Sequence, residues 1–394
     1  MKQKTNSLLI VSFFLIIVFG NLALIRTPKE TSTIENRTLN KFEQFTISNF
    51  INGSYQNNLE NAFTDQFIGS GSIKVLMNKY LNIVSNTKLK YAFCENEYLS
   101  LGYDNYMYNC HNSIVKKPVA LSEELKKEIL NKINSFNYLN EYTEMYYYYI
   151  PTSETYDFKT NNPTIDVDKL FAENMIGDYH YSSLQINSFD DYANNFYKTD
   201  HHWNHIGSYN GYLDIMKMLN VDETIKPTEE VVFDDIQFYG SSGRKIRMDE
   251  YKDTFTVYKF DFPELSTTID GIANQKYGYQ EEYYNNDYNK TDPYINHYGM
   301  FYGDDYGEIK YTNDNQDENI LIISNSFSNA VNNLIASHFN NTYVIDLRYY
   351  EKVKGFKFDI KQYIKDNDID KTLILMNYYY LESELNDMEV SNGI

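Results

Sequence analysis

The run Asn319-Ile320-Leu321-Ile322-Ile323-Ser324-Asn325-Ser326 and the segments after it decide the fold: AVNNLIASHF (330–339), TYVIDLRYY (342–350), FDIKQYIKDNDI (358–369) and KTLILMNYYY (371–380). Three short apolar runs alternate with two stretches that read as helices. The expectation is β-α-β-α-β, with 342–350 and 371–380 each taken as a whole strand. Such units wind with one hand and form a parallel sheet covered by helices on both faces.

Working outward, MYYYYI (145–150) is an aromatic run stopped by Pro151, which suits a buried strand. Before it, residues 122–139 place Leu125, Ile129, Ile133 and Phe136 at three-to-four spacing behind Ser122, a suitable N-cap. A helix followed by a strand extends the same α/β layering towards the N-terminus. Residues 225–316, rich in Asp, Asn, Tyr and Gly, are expected to hold short antiparallel strands and long loops.

Leu8–Ile25 reads LLIVSFFLIIVFGNLALI behind Lys2 and Lys4. Its length nearly spans a bilayer, and the lysines favour a cytoplasmic N-terminus. A cleaved signal peptide needs small residues at the cut, and Gly20 and Ala23 are poorly placed for that. The expectation is a single membrane helix within 1–26, a polar stalk and helical lead-in over 27–88, and one α/β domain over 89–394 outside the membrane. Cys94 and Cys110, the two cysteines, flank a hairpin-like Leu99–Tyr103 and can form a disulfide or remain as two thiols.

The formal charge is -20, with no basic cluster beyond the N-terminus, so nucleic acid is excluded as a partner. The same charge favours a neutral or amino-sugar polymer over a strongly anionic one. The 40 tyrosines can stack on sugars, but they accompany an Asn, Lys and Ile bias that nucleotide composition alone can produce.

Chemistry concentrates at Lys198-Thr199-Asp200-His201-His202-Trp203-Asn204-His205, which carries three of the seven histidines and the one tryptophan. In an extended segment Asp200 and His202 share a face and His201 turns away. A carboxylate orienting an imidazole is half of a nucleophilic site. The hydroxyl partner is Ser326, just past an apolar strand and opening a helix, where backbone N–H groups can stabilise an oxyanion. The same residues permit other readings. Ser326 can be a helix cap, His201, His202 and His205 can ligate zinc with help from His180 or Asp200, and the histidines can be a structural cluster.

At these residues the sequence resembles the DHHW family of bacterial exported proteins and, more distantly, the alginate O-acetyltransferase proteins. The shared features run in order: Glu35-Asn36-Arg37, Asn52-Gly53, Asp65-Gln66-Phe67, Asp200–Trp203, Gly240-Ser241-Ser242-Gly243, the Ser326 block and Ile345-Asp346-Leu347-Arg348-Tyr349-Tyr350. The resemblance implies an SGNH-hydrolase-like three-layer fold acting on a surface or secreted polysaccharide. In it Asp200 orients His202, His202 deprotonates Ser326, and Ser326 carries an acetyl group to a sugar hydroxyl or to water. Asn325 stands at the oxyanion or in support, Asn204 fixes the motif loop and Trp203 walls the pocket. It also implies a membrane-bound O-acyltransferase as partner, and no cofactor or metal. The chain has Ser324-Asn325 where the relatives have Gly-Asp, so a polysaccharide-binding scaffold subunit without catalysis is the alternative, and a metal-dependent hydrolase a further one.

Overall fold

The computed structural model describes residues 28–32, 37–67, 76–77, 100–101, 107–136, 139–246, 253–280, 294–382 and 388–389. The expected membrane segment at 8–25 lies outside these. Among the described residues no helix is long and apolar enough to cross a membrane.

Eight strands make one mixed sheet: β1 (Glu144–Ile150), β2 (His180–Ser183), β3 (Ser266–Ile269), β4 (Ile272–Ala273), β5 (Glu308–Thr312), β6 (Asn319–Ile323), β7 (Asn341–Ile345) and β8 (Lys371–Asn377). Their spatial order is β4-β3-β5-β7-β6-β8-β1-β2. The five strands from β7 to β2 run parallel, and β5, β3 and β4 add antiparallel at one edge. Every residue of β8 is buried, as a strand covered on both faces should be.

Alternation along the strands divides the core in two. Tyr146, Tyr148, Ile320, Ile322, Leu373 and Leu375 point to one face, where they meet Tyr212, Ile215 and Met216 of a helix at His205–Met218. Met145, Tyr147, Leu321, Ile323, Ile374 and Met376 point to the other. There they meet helices at Glu123–Phe136, Val167–Asn174, Leu347–Lys354 and Ile360–Asp366. The molecule is therefore a three-layer α/β/α arrangement.

The C-terminal β-α-β-α-β exists, with two expected strands shorter than read. Strand β7 ends at Ile345, because Asp346 accepts the Arg348 N–H and caps the helix Leu347–Lys354. After Asn377 the tyrosines of YYYLE enter a helix whose Tyr380 N–H is accepted by the Asn377 side chain. In both places a polar cap overrides the β preference of a tyrosine-rich run. Residues 225–316 contain the expected antiparallel strands, including a ribbon of Glu229–Phe238 with Asp253–Lys259, and also short helices at Ser241–Ile246 and His297–Tyr302 that were not anticipated. The Ser100–Leu101, Met107–Cys110 and Ser113–Lys116 segments form a small antiparallel sheet, and Cys110 is disulfide-bonded; Cys94 lies outside the described residues.

Strand β6 lies between β7 and β8. The chain leaves β6 over the first face, through the helix Asn332–Ala336, and returns from β7 to β8 over the second. Connections diverge at the carboxyl end of β6, which opens a crevice there. Ile374, fully buried at the middle of β8, tests how much the sheet depends on that strand. Replacing it with Ala is expected to lower stability by about 2–5 kcal/mol, read as a lower urea midpoint at unchanged slope.

Candidate active site

Ser326 follows β6 at the crevice and begins a 3₁₀ turn, Ser326–Ala330. Asn325 is extended and its side chain accepts the Phe327 N–H at 3.2 Å, so it builds the turn from beneath. With the Ser328 N–H bonded to the Asn325 carbonyl, the Ser326 N–H is the opening group left without a partner among the described residues. The Tyr298 hydroxyl, kept protonated by burial and by nearby Tyr302 and Asp200, donates to the Ser326 carbonyl at 3.2 Å.

The Asp200–Trp203 loop comes from the far side of the sheet sequence. Phe196 and Trp203 pair as an isolated bridge, and the residues between them bend instead of extending. The Asp200 Oδ1 atom accepts the His202 N–H at 3.0 Å, an Asx turn, and accepts His202 Nδ1–H at 2.6 Å. A turn, not a strand, therefore brings the two side chains together. It also corrects the expectation for His201, whose ring lies 3.9 Å from that of His202 and faces the same cleft.

His202 Nε2 stands 2.8 Å from Ser326 Oγ. The imidazole is stacked on Tyr298 at 3.9 Å with the planes 2° apart, and the tilted Phe327 ring packs against it at 5.0 Å. These rings fix the plane in which the nitrogen meets the hydroxyl. Asp200, His202 and Ser326 thus form a continuous hydrogen-bonded chain, and such a chain can move the serine proton to the imidazole as the oxygen attacks.

Trp203 is fully buried beneath the cleft and does not wall it; its Nε1–H donates to the Phe327 carbonyl at 2.9 Å and ties the loop to the serine turn. Asn204 caps the helix His205–Met218 by accepting the N–H groups of Ile206 and Gly207, while its Nδ2 reaches the carbonyls of Asn194 and Phe196. His205 packs against Tyr258 in a separate aromatic pocket, so the three-histidine zinc set is not assembled. His180 is stacked on Tyr146 at the sheet edge. Asp200, His201 and His202 do lie close enough to share an ion, but the Asp200 and His202 atoms already bond each other directly.

The second Asp200 oxygen accepts the Ser241 N–H at 2.6 Å, from the start of the Ser241–Ile246 helix. This contact needs Gly240, where a Cβ would sit 2.3 Å from the Asp200 Cβ and 2.5 Å from its backbone. Thr199 closes the junction, its hydroxyl accepting from Gly240 and its carbonyl from Ser242 and Gly243. Burial alone would raise the Asp200 pKa; the charge and hydrogen bond of His202, then His201 and Arg244, outweigh it and hold the carboxyl well below its usual range.

The cleft encloses about 510 Å³ and is lined mostly by polar groups. Its far wall is the Gly303–Tyr306 loop, held where Arg348 pairs with Asp346 and Asp305 and Asn329 Nδ2 donates to the Gly303 carbonyl. Thr31, Ser32 and Thr38 also line it. This corrects the stalk reading for that part of the chain. Its ends are anchored by Asp65, which accepts from Asn40, and by Gln66, which bonds Lys29 and Asn40. Tyr298 and Asn329 were missed at the sequence level, since nothing distinguishes one among 40 tyrosines or an Asn in an Asn-rich chain.

Gly240→Ala is expected to push the Asp200 loop off Ser241 and cost about 1–3 kcal/mol, together with most of any activity, measured by urea denaturation and ester turnover. A depressed carboxyl pKa contributes stability that is present above the unfolded value and lost as pH falls through the folded one. The wild type is therefore expected to weaken below about pH 4 more steeply than Asp200→Asn, in denaturation midpoints followed against pH.

No protein-family model matches the sequence, and no curated protein is significantly similar to it. Solved structures do match. Bacillus cereus PatB1 aligns with a TM-score of 0.56 at 21% identity, covering 71% of this chain and 98% of PatB1. Its structure with a sulfonyl adduct aligns at 0.55 and 19%, covering 72% and 97%. A DHHW family protein from Eubacterium siraeum aligns at 0.53 and 18%, covering 73% and 95%. The structural neighbours thus include a DHHW family protein, with which this chain shares its fold over about seven-tenths of its length.

Proposed function

We propose that this protein is a serine-dependent O-acetyltransferase or acetylesterase of SGNH-hydrolase-like architecture that acts on an extracytoplasmic polysaccharide. The carrying observation is the 2.8 Å contact of His202 Nε2 with Ser326 Oγ, backed by the buried Asp200. His202 takes the hydroxyl proton as Ser326 attacks the acyl carbonyl, Asp200 steadies the imidazolium, and the backbone N–H of Ser326, which opens the 3₁₀ turn, serves the developing oxyanion. Collapse breaks the bond from the acyl carbon to the donor's leaving group, which takes the proton from His202; the acyl-serine then passes its acetyl group to a sugar hydroxyl or to water, with His202 deprotonating the acceptor and returning that proton to Ser326 Oγ as the ester bond breaks.

An open cleft lined by Thr31, Thr38, Asn296, Asn329, Tyr306 and Tyr349 offers the hydroxyl, amide and aromatic surfaces that sugars use, which supports a glycan substrate. The resemblance to the DHHW family supports the same class and a membrane-bound O-acyltransferase as acyl supplier. A location outside the cell membrane, held by the apolar N-terminal segment, is supported by the disulfide at Cys110. The scaffold alternative rests on Ser324-Asn325 in place of Gly-Asp. Asn325 nonetheless supplies the cap of the serine turn, so that substitution leaves the geometry assembled.

The full chain is expected to release 4-nitrophenol from 4-nitrophenyl acetate, and Ser326→Ala and His202→Ala are each expected to lower kcat by about 10⁴-fold or more. A sulfonyl fluoride, the reagent class suggested by the PatB1 adduct, should label Ser326 stoichiometrically by mass spectrometry. Unchanged turnover in both variants would remove the catalytic assignment and leave the binding subunit.

A further inference from the structure

We propose that His201 is a further catalytic residue, a neutral imidazole whose Nε2–H donates to a substrate oxygen in the cleft, and that Ser241 is the positioning residue that fixes this tautomer. The proposal deepens the acyl-transfer reading and rests on it.

His201 Nδ1 lies 2.6 Å from Ser241 Oγ and 3.4 Å from Asp200 Oδ1. The second separation is too long for a useful hydrogen bond, and that oxygen already accepts twice from His202. Ser241 is buried, and among the described residues its hydroxyl has His201 as its one hydrogen-bond partner. A buried hydroxyl with one neighbour gives its proton to that neighbour. Ser241 therefore donates, Nδ1 accepts, and the ring proton of the neutral imidazole resides on Nε2.

Among the described residues Nε2 has no protein partner, and it is not among the buried polar atoms left unpaired. The side chain is 28% exposed and lines the cleft beside His202 and Ser326, so its unpaired edge is open to bound substrate. Burial and the neighbouring His202 push the His201 pKa well below the ordinary imidazole value, which keeps one ring proton, not two. Next to His202, a neutral donor leaves Ser326 with a single proton acceptor. The Asp200–Ser241 contact uses the Ser241 backbone, so Ser241→Ala removes the hydroxyl and spares that bond.

In Ser241→Ala the Asp200 carboxylate is the nearest remaining partner of Nδ1, and the tautomer is expected to reverse. Steady-state turnover of 4-nitrophenyl acetate by the full chain should fall about tenfold to a hundredfold in both His201→Ala and Ser241→Ala, as for loss of one transition-state donor. His201→Gln, which restores a donor, should recover most of that loss, and thermal melting should show all three variants folded. Independently of activity, ¹⁵N spectra of histidine-labelled protein should show His201 protonated at Nε2 in the wild type and at Nδ1 in Ser241→Ala. A wild-type proton on Nδ1, or a His201→Gln variant as impaired as His201→Ala, would overturn the proposal. Turnover that survives Ser326→Ala would instead sink the acyl-transfer reading, while the nitrogen spectra would still report on the tautomer.

Discussion

The Asp200 carboxylate is a buried charge, and the architecture around it is largely the means of satisfying it. An ionised group removed from water costs several kcal/mol unless hydrogen bonds replace its hydration. Asp200 receives three such bonds: two from His202 at 3.0 and 2.6 Å and one from Ser241 at 2.6 Å. Each fixes something beyond itself. The backbone bond closes the Asx turn, the ring bond sets the imidazole plane, and the Ser241 bond seats the loop on a helix start that Gly240 allows to come close. Replacing the carboxylate would undo the loop as well as the charge.

From that anchor the remaining contacts follow as a sequence of supports. Trp203 reaches under the cleft to the Phe327 carbonyl, Tyr298 stacks on His202 while bonding the Ser326 carbonyl, and Asn325 caps the turn that presents the hydroxyl. His202 and Ser326 are thereby locked to each other through neighbours of both, not only through the bond between them.

Much of this was legible in residue order. The alternation of β6, β7 and β8 with helices showed in apolar runs of strand length, and Ser326 at the end of one of them followed from where open sheets place ligands. Asp200 and His202 could be paired from their spacing, but for an incorrect reason. An extended chain and an Asx turn both bring i and i+2 together, and only the turn leaves His201 on the same side. The helices after Ile345 and Asn377 were hidden because one capping side chain outweighs several tyrosines. The wall formed by Thr31, Ser32 and Thr38 was hidden because it depends on Asp65 and Gln66, whose bonds to Lys29 and Asn40 carry no periodicity.

The Asp200 loop follows β2, which pairs with β1, whereas Ser326 follows β6, and β8 is the strand inserted between those two halves. It is also the last strand of the sheet to be synthesised. Until residues 371–377 dock, the two halves share no continuous sheet, and the serine and the imidazole are joined only through the side-chain contacts between their two loops.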